Sequence, residues 1–139
     1  MKKAVFFDMN ETLLNLNLLK GQFDKYFSDN YVMKYWFTKL LHSSTIMGIM
    51  NEYRNFGELA DVALENVFFE NNKNLSSKIK AEILGEFRKL PAYEDVRPAL
   101  IKLNDHNIRV VAISNSSQAM IKEQLKNAKI MDLFDSIIL

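Results

Sequence analysis

Two short apolar runs, each followed at once by polar residues, place the strongest constraint on the fold of this chain. The first is "KAVFF", which ends at Asp8, and the second is "IRVVAIS", which continues into "NSS". Short apolar runs rich in β-branched and aromatic residues are typical of strands that are buried on both faces of a parallel sheet. We therefore expect buried strands at Lys3–Phe7 and Ile108–Ser114.

The residues between these runs have helical periodicity. Pro91 ends this helical block, because a proline disfavours helical backbone at the residue before it, here Leu90. The apolar positions recur three or four residues apart, as expected for helix faces. They are Val32, Tyr35, Trp36 and Leu40, then Phe56, Leu59, Ala60, Ala63, Leu64 and Val67, then Ile79, Ile83, Phe87 and Leu90.

The end of the chain returns to alternating helices and strands. Val96, Leu100 and Leu103 predict a helix that stops at Asn107, a residue type that tolerates the left-handed conformation. A further helix follows the second strand, and its apolar face contains Ile121, Leu125 and Ala128. The closing run "LFDSIIL" predicts the start of a third strand.

This order of elements predicts an α/β protein with a parallel, Rossmann-like sheet, since strands that alternate with helices form crossover units. The helical block interrupts the core once. We expect the core to contain residues 1–14 and 91–139, and the inserted helical subdomain to contain residues 15–90.

Composition narrows the functional class. Lysine and arginine total 18 against 17 acidic residues, and this balance gives no electrostatic basis for binding nucleic acid or a membrane surface. The sequence has no cysteine, which fits a reducing compartment. No apolar run is long enough for a signal peptide or a membrane span. We expect a cytoplasmic protein that binds neither nucleic acid nor a membrane.

The polar residues after the two strands form the candidate site. In an open parallel sheet, ligands bind outside the carboxyl ends of the strands. Asp8 follows the first strand, and Ser114, Asn115 and Ser116 follow the second. If the strands are neighbours, these residues share one crevice, and the insert that begins after the first strand forms a lid over it. The same serines also suit a simple helix cap.

These residues resemble the haloacid dehalogenase-like (HAD) superfamily. "VFFDMNETLL" and "VVAISNSS" are similar to its first two motifs, and the first is most similar to the type II haloacid dehalogenase branch. "MNEYRNFGELADVAL" is similar to the helical cap of that branch. The resemblance implies a hydrolase with an α/β core and a helical cap, which acts on a small haloacid or a phosphate ester.

The resemblance also assigns roles to individual residues. Asp8 matches the aspartate nucleophile, which forms a covalent intermediate that water then hydrolyses. Thr12 matches the threonine that supports the loop. Ser114 and Asn115 match the catalytic pair of the second motif, and Ser116 lies among the residues expected to hold a substrate oxygen.

Two positions depart from the family pattern. Asn10 stands where phosphatases of the superfamily have a second aspartate, and an amide has no proton to transfer to a leaving group. Asn10 is expected to contact substrate, and its backbone carbonyl beside Asp8 is a Mg²⁺ ligand only in a phosphatase-like reaction; a dehalogenase-like reaction implies no cofactor. Phe37 aligns with the cap arginine that receives the halide in dehalogenases, which leaves Arg54 as another candidate cation.

The later motifs of the family, a lysine and an acidic strand end, match no residue before Leu139. The chain is therefore expected to be a truncated N-terminal part of a longer enzyme and to be inactive alone. The alternative is a non-catalytic remnant or binding module that retains the fold. Truncation would leave the strand Lys3–Phe7 at a bare sheet edge, so we expect a homo-oligomer formed through that edge.

Three other residue types have plainer interpretations. His42 and His106 are isolated from other candidate ligands and are expected at surface or structural positions. Trp36, with Met33 and neighbouring aromatic residues, is expected in the core of the helical subdomain rather than in a substrate pocket.

Overall fold

The computed structural model describes residues 2–139, which form two compact units. The first unit contains the chain up to Leu16 together with Arg88–Leu139, and the second contains Asn17–Phe87. The strands are β1 (Ala4–Phe7), β2 (Arg109–Ile113) and β3 (Ser136–Ile138). The helices are α1 (Lys20–Asp24), α2 (Val32–Ile49), α3 (Phe56–Glu70), α4 (Ser77–Phe87), α5 (Val96–Asp105) and α6 (Gln118–Asn127), and short 3₁₀ helices lie at Leu16–Leu19 and Met131–Leu133.

The sheet of the first unit is parallel, with the order β1-β2-β3. Phe7 lies opposite Ala112, and Ala112 lies opposite Ile137. The two predicted strands are therefore neighbours, and "LFDSIIL" does contain the third strand. The α/β fold with a parallel sheet is confirmed.

Burial differs between the two predicted strands. Val110, Val111 and Ala112 are buried in β2, as the apolar run predicts. The prediction that the first strand is buried on both faces is wrong, because Ala4 is exposed and Phe6 is 56% exposed. β1 lies at the edge of the described sheet, and the face that carries these two side chains remains uncovered within residues 2–139.

The helices of the first unit begin and end at residues suited to those positions. Ser117 is the N-cap of α6, and its hydroxyl accepts a hydrogen bond from the backbone N–H of Met120 at 3.3 Å. Asn107 follows α5 with a φ of 55°, so the prediction that a left-handed asparagine ends this helix is confirmed.

Aromatic side chains form the core of the second unit. Trp36 is fully buried, and its ring centroid lies 5.4 Å from that of Phe23 and 5.3 Å from that of Phe87. Its indole N–H donates a hydrogen bond to the carbonyl of Ala60 at 3.1 Å. The buried ring of Phe37 also packs against Trp36, with 6.2 Å between the two ring centroids. Trp36 is therefore a core residue, as predicted.

Two segments of the first unit pair side by side where the chain leaves it and returns. Leu14 forms an antiparallel bridge with Ala92. The N–H of Asn15 donates to the carbonyl of Pro91 at 2.8 Å, and the N–H of Tyr93 donates to the carbonyl of Leu13 at 3.0 Å. These bonds fix both ends of the intervening segment against each other.

Both histidines lie at surface positions, as the sequence predicts. His42 and His106 are exposed, and Nδ1 of His106 lies 2.7 Å from the carbonyl of Lys102 at the end of α5. In the part of the chain that the structure describes, no helix combines the length and the apolar character needed to cross a bilayer.

Candidate functional site

The loop after β1 is anchored by apolar side chains and presents polar ones. Met9, Leu13 and Leu14 are buried, and the N–H groups of both leucines donate to the Met9 carbonyl at 2.9 and 3.0 Å. Asp8 and Thr12 alternate with these anchors and are exposed. The sequence therefore folds into a loop whose buried residues fix the backbone and whose carboxylate faces solvent.

Asp8 and Thr12 are joined directly. The Thr12 hydroxyl donates a hydrogen bond to Oδ2 of Asp8 at 3.0 Å, so these two residues of the first motif lie together. Within residues 2–139, Oδ1 of Asp8 makes no hydrogen bond and no lysine or arginine forms an ion pair with this carboxylate. One oxygen of the carboxylate is held and the other is accessible.

Glu11 holds the turn of this loop, a role that sequence reasoning missed. Its φ is 64°, in the left-handed region that is unfavourable for residues other than glycine. Its Oε1 accepts hydrogen bonds from the N–H of Leu16 at 2.8 Å and from the hydroxyl of Tyr93 at 3.0 Å. Burial, and then the neighbouring Glu11 carboxylate, raise the pKa of Tyr93 above its usual value.

The loop after β2 leads directly into α6. The Ser114 hydroxyl accepts a hydrogen bond from the N–H of Ser116 at 3.1 Å. Ser116 is fully buried, and its hydroxyl has no hydrogen-bond partner within the described chain. Asn115 between them is exposed. The N-terminal N–H groups of a helix favour an anion, so this loop is suited to hold a substrate oxygen.

A buried amide connects α6 to the loop after β1. Gln124 is fully buried, and its Nε2 donates a hydrogen bond to Oδ1 of Asn10 at 3.2 Å. Sequence reasoning missed Gln124, although a signal was present: it is a polar residue on the predicted apolar face, next to Leu125. The contact brings the Asn10 side chain and the helix of the second loop together.

The register of the sheet places both loops at the same edge. Phe7 and Ala112 are partners, and they precede Asp8 and Ser114 by one and two residues. Asp8 and Thr12 contact each other, as do Ser114 and Ser116, but no hydrogen bond between the two pairs is present in residues 2–139. Phe37 and Arg54 belong to the second unit, where Phe37 is a core residue and Arg54 is exposed.

The described residues do not form a complete metal site. No group of three histidine, aspartate or glutamate side chains within residues 2–139 is placed to hold a metal ion. The Asp8 carboxylate and the Asn10 carbonyl are hard oxygen ligands of the kind that Mg²⁺ prefers. Two oxygens fall short of an octahedral set, so these residues alone do not fit a complete Mg²⁺ site.

Comparison with known proteins gives one family and a set of related enzymes. A family model described as haloacid dehalogenase-like hydrolase matches residues 5–139. The chain is similar to the (S)-2-haloacid dehalogenase of Pseudomonas sp. (strain YL), with 22% identity over 138 residues. It is also similar to (S)-2-haloacid dehalogenase 4A of Burkholderia cepacia, with 26% identity over 142 residues. Each match covers 98% of this chain and 60% of the relative.

A structural comparison supports the fold. The L-2-haloacid dehalogenase of Xanthobacter autotrophicus superposes with a TM-score of 0.89 at 24% identity, over 99% of this chain and 56% of that protein. At this identity the likeness establishes a shared fold. The chain thus spans about 60% of the length of the curated relatives that it matches.

Proposed function

The chain belongs to the haloacid dehalogenase-like hydrolases, and we infer that Asp8 is the nucleophile of a hydrolase that acts on small 2-haloacids. The observation that carries this proposal is the 3.0 Å hydrogen bond from Thr12 to Oδ2 of Asp8. It orients the carboxylate on an anchored loop, while the exposed side chain leaves Oδ1 accessible. A carboxylate oriented in this way is suited to form a covalent intermediate.

The proposed reaction has two steps. Oδ1 of Asp8 attacks the carbon that bears the halogen, a carbon–oxygen bond forms, and the halide leaves with the bonding electrons. Water then adds to the carbonyl carbon of the resulting aspartyl ester, one of its protons passes to the ester oxygen as the 2-hydroxy acid departs, and the other proton passes to solvent. The balance is one haloacid and one water converted to one hydroxy acid and one hydrogen halide.

The proposed role of the loop after β2 is to bind the substrate, and it takes no part in breaking a bond. The Ser114 hydroxyl, the exposed Asn115 and the N–H groups at the start of α6 are suited to bind the carboxylate of the acid. The unpartnered, buried hydroxyl of Ser116 is a further donor in the same loop. Binding of this carboxylate would orient the carbon–halogen bond toward Asp8.

Asn10 favours a haloacid over a phosphate ester as substrate. In the step in which Asp8 attacks the substrate, the leaving group of a phosphate ester departs as an alkoxide and needs a proton, whereas a halide departs as a stable anion and needs none. The Asn10 amide has no titratable proton to give, and the loop offers no other acid near Asp8 except Glu11, which is engaged with Leu16 and Tyr93. This chemistry therefore matches carbon–halogen cleavage, which needs no metal ion in this proposal.

Residues 1–139 alone are proposed to turn over little substrate. The charge that develops between a carboxylate nucleophile, a carboxylate substrate and a departing halide requires positioned cations or dipoles. No lysine or arginine pairs with Asp8 in the described part of the chain. We therefore expect slow formation of the Asp8 ester and inefficient hydrolysis of it.

The test is a search for the covalent ester by intact-protein and peptide mass spectrometry. The chain is incubated with L-2-bromopropionate, quenched in acid and digested. We expect an adduct on Asp8 that accumulates with time and is absent from Asp8→Asn. Asp24→Asn is the matched control, because Asp24 is an exposed aspartate in the second unit that pairs with Lys20.

The outcomes separate the enzyme from a binding module. Modification of Asp8 that Asp24→Asn leaves unchanged supports the proposal. Unmodified Asp8 at all times, together with saturable binding of L-lactate, would support the non-catalytic alternative. Equal modification of wild type and Asp8→Asn would show that the reagent alkylates the surface without selection.

A further inference from the structure

Gln124 is an anomaly in the packing of α6. Ile121 and Leu125 are fully buried beside it, and Gln124 is buried to the same extent. A buried polar side chain is more informative than a buried apolar one, since desolvation of an amide is unfavourable unless a hydrogen bond replaces the lost water. Leucine at this position would satisfy the packing alone, so the glutamine invites a role for its amide.

The amide of Gln124 fixes the orientation of Asn10. Its Nε2 donates to Oδ1 of Asn10 at 3.2 Å. Oδ1 and Nδ2 of Asn10 diverge from the same carbon, so a bond that holds Oδ1 against α6 directs Nδ2 away from it. Within residues 2–139, Nδ2 of Asn10 makes no hydrogen bond, and the side chain is partly exposed.

The location of Asn10 gives this orientation a chemical meaning. Asn10 lies two residues after Asp8, on the loop that Met9 and Leu13 anchor in the core. A free asparagine side chain rotates and offers either its acceptor oxygen or its donor nitrogen to a neighbouring ligand. An acceptor oxygen beside Asp8 repels an anionic substrate, whereas donor N–H groups attract one.

We propose that Gln124 is a positioning residue that holds Asn10 with its Nδ2 as a neutral hydrogen-bond donor to the carboxylate of a small 2-substituted acid bound at Asp8. This inference rests on the proposed function and extends it from the nucleophile to substrate recognition. The amide pair selects an anionic oxygen at this position without supplying a proton. It also couples the helix of the second loop to the nucleophile loop.

The test uses the complete 139-residue chain labelled with ¹⁵N, and reads the side-chain NH₂ signals of Asn10 by NMR. L-Lactate is the probe, because it is the hydroxy acid that matches the proposed product. In Gln124→Leu we expect little change in thermal stability, because an apolar side chain replaces the buried Gln124 amide and the partly exposed Asn10 oxygen can bind water instead. We also expect shifted Asn10 signals and an L-lactate Kd raised by about tenfold, the effect of one hydrogen bond to a charged group.

A double-mutant cycle distinguishes positioning from a general structural role. If Gln124 acts through Asn10, Gln124→Leu has no further effect on the L-lactate Kd in an Asn10→Ala background. Gln22→Leu is the control, because it makes the same substitution in the second unit. We expect it to leave the Asn10 signals and the L-lactate Kd unchanged. If Gln124→Leu does not fold, Gln124→Met, which is unbranched and close to glutamine in length, serves the same comparison.

Two results would overturn the inference. One is a folded Gln124→Leu variant with unaltered Asn10 signals and unaltered L-lactate Kd. The other is an equal loss of affinity in the presence and absence of the Asn10 side chain. Failure of wild type to bind L-lactate would instead contradict the proposed function, and the Asn10 signals would then still decide whether Gln124 positions the amide.

Discussion

The hydroxyl of Tyr93 donates a hydrogen bond to Oε1 of Glu11 across 3.0 Å and joins two segments that are 82 residues apart. The same carboxylate oxygen accepts the N–H of Leu16. Glu11 thereby ties the loop after β1 to the segment that leads into α5. The precision of the candidate site therefore depends on a contact remote in sequence.

Removal of the Tyr93 hydroxyl tests the contribution of this contact. Tyr93→Phe should lower the free energy of unfolding by about 1 kcal/mol, the typical value of one hydrogen bond. Urea denaturation followed by circular dichroism measures the change. Tyr31→Phe is the matched control, because Tyr31 is 71% exposed. An equal loss in both variants would contradict the assignment.

The same pair predicts a dependence of stability on alkaline pH. The pKa of Tyr93 is raised in the folded state, first by burial and then by Glu11. The folded chain therefore holds this proton more tightly than the unfolded chain, whose tyrosine pKa is about 10. The stabilisation is complete below pH 10 or so and is lost as pH rises through the higher folded-state pKa. Unfolding at pH 8 to 11 should show a steeper decline in wild type than in Tyr93→Phe.

The left-handed backbone at Glu11 predicts an order among substitutions. Glu11→Ala keeps the unfavourable φ of 64° and loses both hydrogen bonds. Glu11→Gly loses the bonds but relieves about 1 kcal/mol of backbone strain, and Glu11→Gln keeps an acceptor oxygen. Thermal unfolding should rank stability as wild type, then Gln, then Gly, then Ala. A glycine variant more stable than wild type would show that the side-chain bonds contribute little.

Trp36 provides a test of the core of the second unit. Trp36→Phe should lower stability by about 2 kcal/mol, because a cavity forms and the Ala60 carbonyl loses its indole donor. Circular dichroism measures the loss. Tyr53→Phe alters an exposed aromatic residue of the same unit and should have a small effect. A stability unchanged in Trp36→Phe would contradict the central position of the ring.

The exposed edge of the sheet predicts self-association. β1 has a free edge in the described sheet, and the side chain of Phe6, on one face of this strand, is 56% exposed. Unpaired backbone groups beside an apolar surface recruit another strand, so we expect dimers or larger species in sedimentation experiments. Phe6→Lys should shift the distribution toward monomer. Phe69→Lys changes an equally apolar side chain, 83% exposed in the second unit, and should not.

Sedimentation of the diluted wild-type chain decides whether it self-associates through the β1 edge. A compact monomer of wild-type chain that unfolds cooperatively at low micromolar concentration would contradict the proposed edge pairing.

Catalytic turnover of the chain is expected to be close to background. Halide release from L-2-chloropropionate, measured by ion chromatography, should not exceed that of Asp8→Asn by more than a few equivalents of enzyme. The physical reason is the lack of an ion-pair partner for Asp8 among the described residues. Sustained turnover that scales with chain concentration and depends on Asp8 would disprove the prediction.

Local sequence patterns predicted the helices and strands well. They did not predict which distant residues contact each other. The apolar run at Val110–Ala112 predicted a buried strand, and Asn107 predicted a helix end, because both depend on residues close in sequence. The local pattern predicted that the first strand is buried, whereas the exposure of Phe6 agrees with the separate expectation that this strand forms a bare edge of the sheet. The assignment of residues 15–90 to a cap stays a prediction.

Some of the contacts at the candidate site are long-range, and sequence periodicity cannot predict them. Asp8 and Thr12 lie four residues apart in one motif, so their contact is local. Gln124 bonds to a residue 114 positions away, and nothing in the local sequence names that partner. A polar residue on an apolar helix face was the one available signal.

The paired segments around Leu14 and Ala92 also have a consequence for protein engineering. Because the N–H of Asn15 donates a hydrogen bond to the carbonyl of Pro91, the intervening segment leaves and re-enters the α/β unit at adjacent points. The backbone hydrogen bonds between these two segments of the α/β unit thus offset the entropic cost of closing the long intervening segment into a loop. Excising the excursion and bridging its ends with a tight hairpin turn is the natural route to a minimal scaffold, and transplanting other modules between the same two points is the natural route to chimaeras.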